Sequence, residues 1–283
     1  MRILHRARAG ARPVSGRSPG IASVELLLAA PLMLLLALLV LQVALLVQAR
    51  QALSHALLEA ARAGSVGHSQ PDAVRRGLAR GLVPFLGGSD SEADHLMKIG
   101  AARVHIALGE RLGWMRLRQL SPTRASFDDW GGAPPGPGGA PMAGPREIPI
   151  DNLPRTVTTR QPATGMAGRV EDMPVGRRSG QTLPDASLLR LELQYGVPVK
   201  VPLAGRVLAL AVAAWDGCPV LPGPALGLLD LRPVLPSRLE PGRCLLHGVP
   251  ALGDAPLRIP VRVMETIRMQ TPPRLHDAVP VGD

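Results

Sequence analysis

The stretch Gly20-Ile21-Ala22-Ser23-Val24-Glu25-Leu26, followed by an apolar run reaching Val47, decides how this chain is read. From Leu26 to Leu41 sixteen consecutive residues carry no polar side chain, and Val43 to Val47 extend the run past the single Gln42. The 27 residues from Ile21 to Val47 amount to about 40 Å of helix at about 1.5 Å per residue. That is enough to cross a hydrocarbon core of roughly 30 Å. Pro31 lies inside the run, where it removes one backbone hydrogen bond and favours a kink. A secretory signal peptide fits less well, because the run exceeds the usual apolar length, Glu25 stands at its head, and the helical pattern continues beyond it.

On the N-terminal side, residues 1–20 hold Arg2, Arg6, Arg8, Arg12 and Arg17 and no acidic residue. The positive-inside bias places this leader in the cytoplasm and the long remainder on the far side of the membrane. Gly20 offers no side chain to obstruct a peptidase that binds the chain extended at the membrane surface, which makes Gly20-Ile21 a candidate processing bond. Glu25 is the most informative residue here, since a carboxylate at the head of a membrane helix is costly and signals a partner. Cleavage would create an amino group at Ile21, and such a group can pair with the glutamate of a neighbouring subunit.

On the C-terminal side the helix continues. Ala49, Leu53, Ala56, Leu57, Ala60 and Ala61 follow i, i+3, i+4 spacing, with Arg50, Gln51, Glu59 and Arg62 on the other side. This predicts a helix that leaves the membrane amphipathic over 48–64 and ends near Gly64. Residues 65–120 read as a short helical region: an amphipathic helix over Pro71 to Leu86, then a capping box of Ser89 and Glu92 opening another through Met97. Residues 121–185 turn polar and rich in Pro and Gly, which predicts a disordered linker without enough apolar surface to order itself.

In the C-terminal region, 186–283, Leu189, Leu191, Leu193 and Tyr195 alternate with Arg190, Glu192 and Gln194, the period of a half-buried strand. Ile259, Val261, Val263, Ile267 and Met269 repeat the pattern, interrupted by Glu265. Between these strands, Leu203 to Trp215 reads as a buried helix or strand, or as an interfacial segment, being too short for a second crossing. Cys218 and Cys244 lie in the same interval; outside the cytoplasm they would form a disulfide, and otherwise two unpaired buried thiols. The fold class expected is therefore α+β and membrane-anchored: a long N-terminal helix, short helices, a linker and a small β-containing domain.

Composition supports a modest soluble part, since aromatics make up 2% of the 283 residues while Gly (31) and Pro (30) are abundant. Lys and Arg exceed Asp and Glu by ten, but half of that excess is the leader, and no basic helix or aromatic-interleaved stripe appears. Nucleic acid is therefore not an expected partner.

The segment from Gly20 to Gly64 carries Val24-Glu25-Leu26, Pro31, a Leu-rich core, Ala49-Arg50-Gln51-Ala52-Leu53 and Glu59-Ala60-Ala61-Arg62. It resembles the TadE-like minor pseudopilins of the tight-adherence (Tad/Flp) pilus system, within the type IV pilin class, and Ile267-Arg268-Met269-Gln270 resembles the end of many such proteins. The resemblance implies removal of the leader after Gly20 by a dedicated prepilin peptidase. It also implies a subunit-pairing role for Glu25, and a part in assembling pili for adherence or secretion. The partners it implies are that peptidase, other pilins and pseudopilins, and the bilayer; the setting is the inner membrane, single-pass, with the bulk periplasmic. Ser23 and Leu26, the third and sixth residues after the bond, depart from the major pilins, where the sixth is often aromatic.

Catalytic and cofactor signals are weak. Gly16-Arg17-Ser18-Pro19-Gly20 matches a nucleophile elbow, but the segment before it is a basic leader and not a strand. Asp90-Ser91-Glu92-Ala93-Asp94 alternates acids as a calcium loop does, yet His95 stands where such a loop needs Gly. The seven histidines are dispersed. The sequence thus predicts a non-enzymatic protein without cofactor or metal. The rival reading is a single-pass periplasmic sensor or enzyme with an unprocessed N-terminus.

Overall fold

The computed structural model describes residues 21–89, 91–136, 138, 140–150, 156–218, 243–248 and 257–277. The leader 1–20, including Gly20, lies outside them. One helix, α1, runs from Ile21 to Val66 and passes through Pro31. Over its second half Leu53, Ala56, Leu57, Ala60 and Ala61 are all fully buried on one face, while Arg50 and Gln51 face outward and Arg62 pairs with Glu59 at 2.8 Å. The helix stops where His68 and Ser69 take positive φ. These two strained residues are held by the His68 N–H donating to Thr271 Oγ1 (3.1 Å) and the Ser69 N–H donating to the Gly64 carbonyl (2.9 Å).

The next helix, α2, spans Pro71–Leu82 and begins with proline, whose missing N–H costs nothing at a first turn. It ends short of the Leu86 expected, two residues before Pro84. α2 lies against α1 at backbone distance. A Cβ built on Gly81 would sit 2.6 Å from Ala56 Cα, and one on Gly77 would sit 2.8 Å from Ala60 Cα.

Two expectations for the following region need correction. α3 spans Glu92–Leu112, far beyond Met97, and its cap is Ser91, which accepts from the Asp94 N–H at 3.2 Å; Ser89 instead meets His95 Nδ1 at 3.2 Å. Both serines are followed three residues on by an acid, so spacing alone did not separate them. The region 65–120 is also not wholly helical, because β1, Met115–Ser121, follows α3 after Gly113 in the left-handed conformation.

The stretch 121–185, read as a disordered linker, carries order of its own. It holds α4 (Arg124–Trp130), capped by Thr123, a β-hairpin of β2 (Met166–Val170) with β3 (Met173–Gly176), and α5 (Leu183–Ala186). Phe127, Trp130, Ile148, Leu183 and Ala186 form a separate buried cluster there. Beside it the 1% exposed Asp129 accepts from the Ser179 N–H (2.7 Å) and hydroxyl (2.6 Å), from the Arg178 N–H and from Thr164 Oγ1. Burial pushes the Asp129 carboxyl up, and these hydrogen bonds outweigh it, holding the group below the usual carboxylate range. The buried carboxylate ties the turn after β3 and the segment before β2 to α4, so polar contacts supply the order that apolar content does not.

The main sheet is antiparallel in the order β1, β4, β5, with β4 at Leu188–Pro198 and β5 at Arg258–Arg268. Met115 faces Tyr195 across one ladder and Leu193 faces Val263 across the other. Leu189, Leu191, Leu193, Tyr195 and Val197 are all buried in the core that holds the seated face of α1, as the alternation requires. On the opposite face Glu192, 1% exposed, is covered by Arg262 at 2.6 Å. The sheet thus unites strands from both sides of 121–185 into one α+β body.

Between β4 and β5 lie α6 (Ala204–Trp215) and a short 3-10 turn (Arg243–His247). Cys218 and Cys244, just after α6 and inside that turn, are joined as a disulfide with Cα atoms 5.4 Å apart. Asp216 Oδ2 and His247 Nε2 meet 2.8 Å apart beside it. The bond joins residues 26 apart in sequence, and the chain-entropy relation for such a loop gives about 3.5 kcal/mol. Replacing both cysteines with serine is therefore expected to lower stability by about that amount. A urea midpoint unchanged from the parent would show the bond to be dispensable.

Candidate functional site

The site of interest is α1 itself, and its chemistry changes along its length. Glu25 is exposed one turn into the helix. Beyond it Leu26 (67%), Leu27 (75%), Met33 (69%) and Val40 (69%) are exposed, part of a contiguous apolar surface that calls for a covering. By length and composition α1 can cross a membrane, and its most apolar window is only 6% buried against the rest of the protein. It is a candidate membrane anchor.

Gln42 is held against the α+β body. That side chain is 2% exposed, and its Oε1 accepts from the Val201 N–H at 3.1 Å. Gln42 is the first buried side chain of α1 among the described residues, while Val43 (45%) and Val47 (52%) beyond it are still exposed on the outer side of the helix. The 21 residues from Ile21 to Leu41 make about 31 Å of helix, close to the roughly 30 Å of a hydrocarbon core. In the sequence Gln42 is one polar interruption in an apolar run. In the fold it marks the turn at which the helix meets the body, because a buried amide needs a partner and the 201 backbone supplies one.

A cleft of about 170 Å³ opens beside this junction, bordered by Gln42, Leu45, Ala49, Phe85, Val197 and Lys200. It is smaller than the few hundred Å³ of a typical small-molecule site. Behind it sits an aromatic group that the sequence reading did not single out. Tyr195 takes Phe85 and Trp114 edge-on, with ring centres 5.6 and 5.5 Å away, and its hydroxyl meets His105 Nε2 at 2.9 Å. Arg258 lies over the Trp114 ring at 4.4 Å. Burial, with the Arg258 charge adding to it, pushes the His105 imidazole below its ordinary range; burial raises the Tyr195 hydroxyl while Arg258 opposes the rise. The arrangement seals the core end of β4, and the half-buried cation finds an aromatic face to rest on. Among the described residues no three His, Cys, Asp or Glu side chains converge at metal-ligand spacing.

Of the residues singled out from sequence, Gly20 lies outside the described residues, Ile21 opens α1, Glu25 stands exposed near its head, and Cys218 is bonded to Cys244. A helix that is largely exposed and apolar over its first half and seated on an α+β body over its second is a candidate membrane anchor joined to a folded body. Residues 20–62 match the model of the TadE-like protein family, so this segment of the chain, from Gly20 to Arg62, is similar to TadE-like proteins. The match takes in α1 almost to its end and leaves the sheet and the 121–185 cap outside it. No curated protein and no solved structure matches the chain.

Proposed function

We propose that the protein is a minor pseudopilin-like, non-enzymatic assembly protein of a Tad pilus, cut between Gly20 and Ile21 by a prepilin peptidase. It sits in the inner membrane with its leader cytoplasmic and its α+β body periplasmic, and it meets other pilins through α1. The observation that carries this reading is the unbroken α1: a single helix opening at Ile21, with exposed apolar side chains from Leu26 to Leu41 and Glu25 near its head, inside the TadE-like segment. A simple anchor has no need of a carboxylate at that depth, whereas an assembling helix can use one to fix register. The basic leader before Gly20 supports the orientation.

The test is the mass of the membrane-extracted protein made with and without a prepilin peptidase. The expected result is a chain beginning at Ile21 only when the peptidase is present, and loss of that product when Gly20 carries a large side chain. An intact N-terminus in both preparations would falsify the proposal and favour an unprocessed sensor or enzyme.

A further inference from the structure

α6 has no polar face. Ala204, Gly205, Ala209 and Ala213 form its buried side, and Gly205 approaches so closely that a Cβ there would lie 2.9 Å from Gln42 Oε1. Small residues on this side let the helix lie flat against the Gln42 turn of α1. The opposite side carries Val207 (58% exposed) and Trp215 (76%), eight residues apart, and Leu203 (66%) is exposed at the N-cap before them. At 100° per residue Val207 and Trp215 fall on one side of the helix together with Leu210, Ala211 and Ala214, with Arg206 near the edge of that arc and Leu203 exposed at the N-cap just before it. Leu203 is further marked by a positive φ of 57°, a conformation a leucine adopts only under constraint from its surroundings.

Such a face in water has an unfavourable hydration cost, so the question is what covers it. Three features answer together. The first is position: the N-terminal end of α6 touches α1 where the bare, membrane-length segment stops. The second is composition: an exposed Trp and aliphatic residues, flanked by exposed Lys200 and Arg206, match the mixture of aromatic ring, apolar stem and cationic tip found at the lipid-water boundary. The third is length, since twelve residues make about 18 Å, too short to cross and suited to lying in the boundary plane.

We infer that α6 is an interfacial membrane helix, lying on the bilayer face from which α1 emerges, with Leu203, Val207 and Trp215 among the acyl chains and Lys200 and Arg206 toward anionic headgroups. This rests on α1 spanning the same bilayer. The disulfide and the Asp216–His247 pair hold the far end of α6 to the 3-10 turn, whose Leu246 carbonyl lies against Gly196 of β4. Pinned at one end to α1 and at the other to the sheet, α6 fixes how the body stands on the membrane, which a lone crossing helix does not.

The experiment places a nitroxide at Val207→Cys in the full chain, since both native cysteines are tied in the disulfide. The protein is reconstituted in nanodiscs of phosphatidylcholine with phosphatidylglycerol. Ala37→Cys on the bare part of α1 and Val66→Cys at its far end are the references. Collision with oxygen, which concentrates in lipid, is compared with collision with a water-soluble nickel chelate. The inference expects Val207 to favour oxygen, at a depth between the other two. Lipid values at Ala37 with aqueous values at Val207 overturn the interfacial helix and leave the anchor standing. Aqueous values at both overturn the anchor itself. A label at Val207 shielded from both reagents means that a protein surface covers α6, and this too overturns the lipid assignment.

Discussion

Glu25→Gln is expected to leave removal of the leader intact while cutting pilus number by at least about tenfold. The recognition of the cleavage bond needs an extended chain at Gly20-Ile21, five residues before the carboxylate, and glutamine changes neither shape nor helix propensity appreciably. What it removes is charge. In the proposed assembly the carboxylate of one subunit meets the Ile21 amino group of the next inside a low-dielectric surrounding. Losing one partner of a desolvated pair leaves the other uncompensated, at a cost on the order of 3–5 kcal/mol. A tenfold shift in an equilibrium needs only about 1.4 kcal/mol, so the change should be large even if water relieves most of the penalty. Counting surface pili while following the mature N-terminus by mass separates the two steps. Normal piliation by the glutamine variant would remove the pairing role from Glu25.

The second large effect is in the body. Gly81→Leu is expected to destabilise the protein by about 3 kcal/mol or more, because the neighbour its Cβ would strike is the α1 backbone at Ala56, which has no rotamer to change. The two helices would have to separate, loosening Leu53, Leu57, Leu78 and Leu82, all fully buried in one cluster. Gly100→Ala in α3 is the matched control: its added methyl meets nothing within 4 Å, and removing a helix-interior glycine should stabilise by roughly 0.5–1 kcal/mol. Urea unfolding of the detergent-solubilised full chain measures both. Equal midpoints for the Gly81 variant and the parent would show that α2 does not bear on α1 as closely as the structure has it.

What could be read from sequence depended on which interaction made each element. α1 was legible because its bare half is defined by composition and its seated half by the spacing of Leu53, Ala56, Leu57 and Ala60. β4 was legible because its alternation runs unbroken from Leu189 to Tyr195. β1 was not, since the alternation of Met115, Arg116, Leu117 and Arg118 covers only four residues before it breaks at Gln119-Leu120, and the strand is completed by pairing with β4. The cap at 121–185 was missed for a different reason. Its order comes from Asp129 gathering donors 35 to 50 residues away, and from Phe127 and Trp130 at their own small cluster, neither of which leaves a periodic trace. Glu25 and Gln42 illustrate the same division within one helix: both interrupt apolar sequence, yet Gln42 is satisfied by the body and Glu25 stands exposed.

The bare half of α1 also limits the routes by which the protein can move. Nine large apolar side chains between Leu26 and Leu41 stand exposed, and at roughly 1.5–3 kcal/mol each, discounted for their partial exposure, releasing them into water costs on the order of 10–20 kcal/mol. No diffusive excursion through solvent surmounts that at a useful rate. If this helix ever enters a fibre, it passes directly from acyl chains onto the apolar flank of another helix, with one covering exchanged for the other turn by turn.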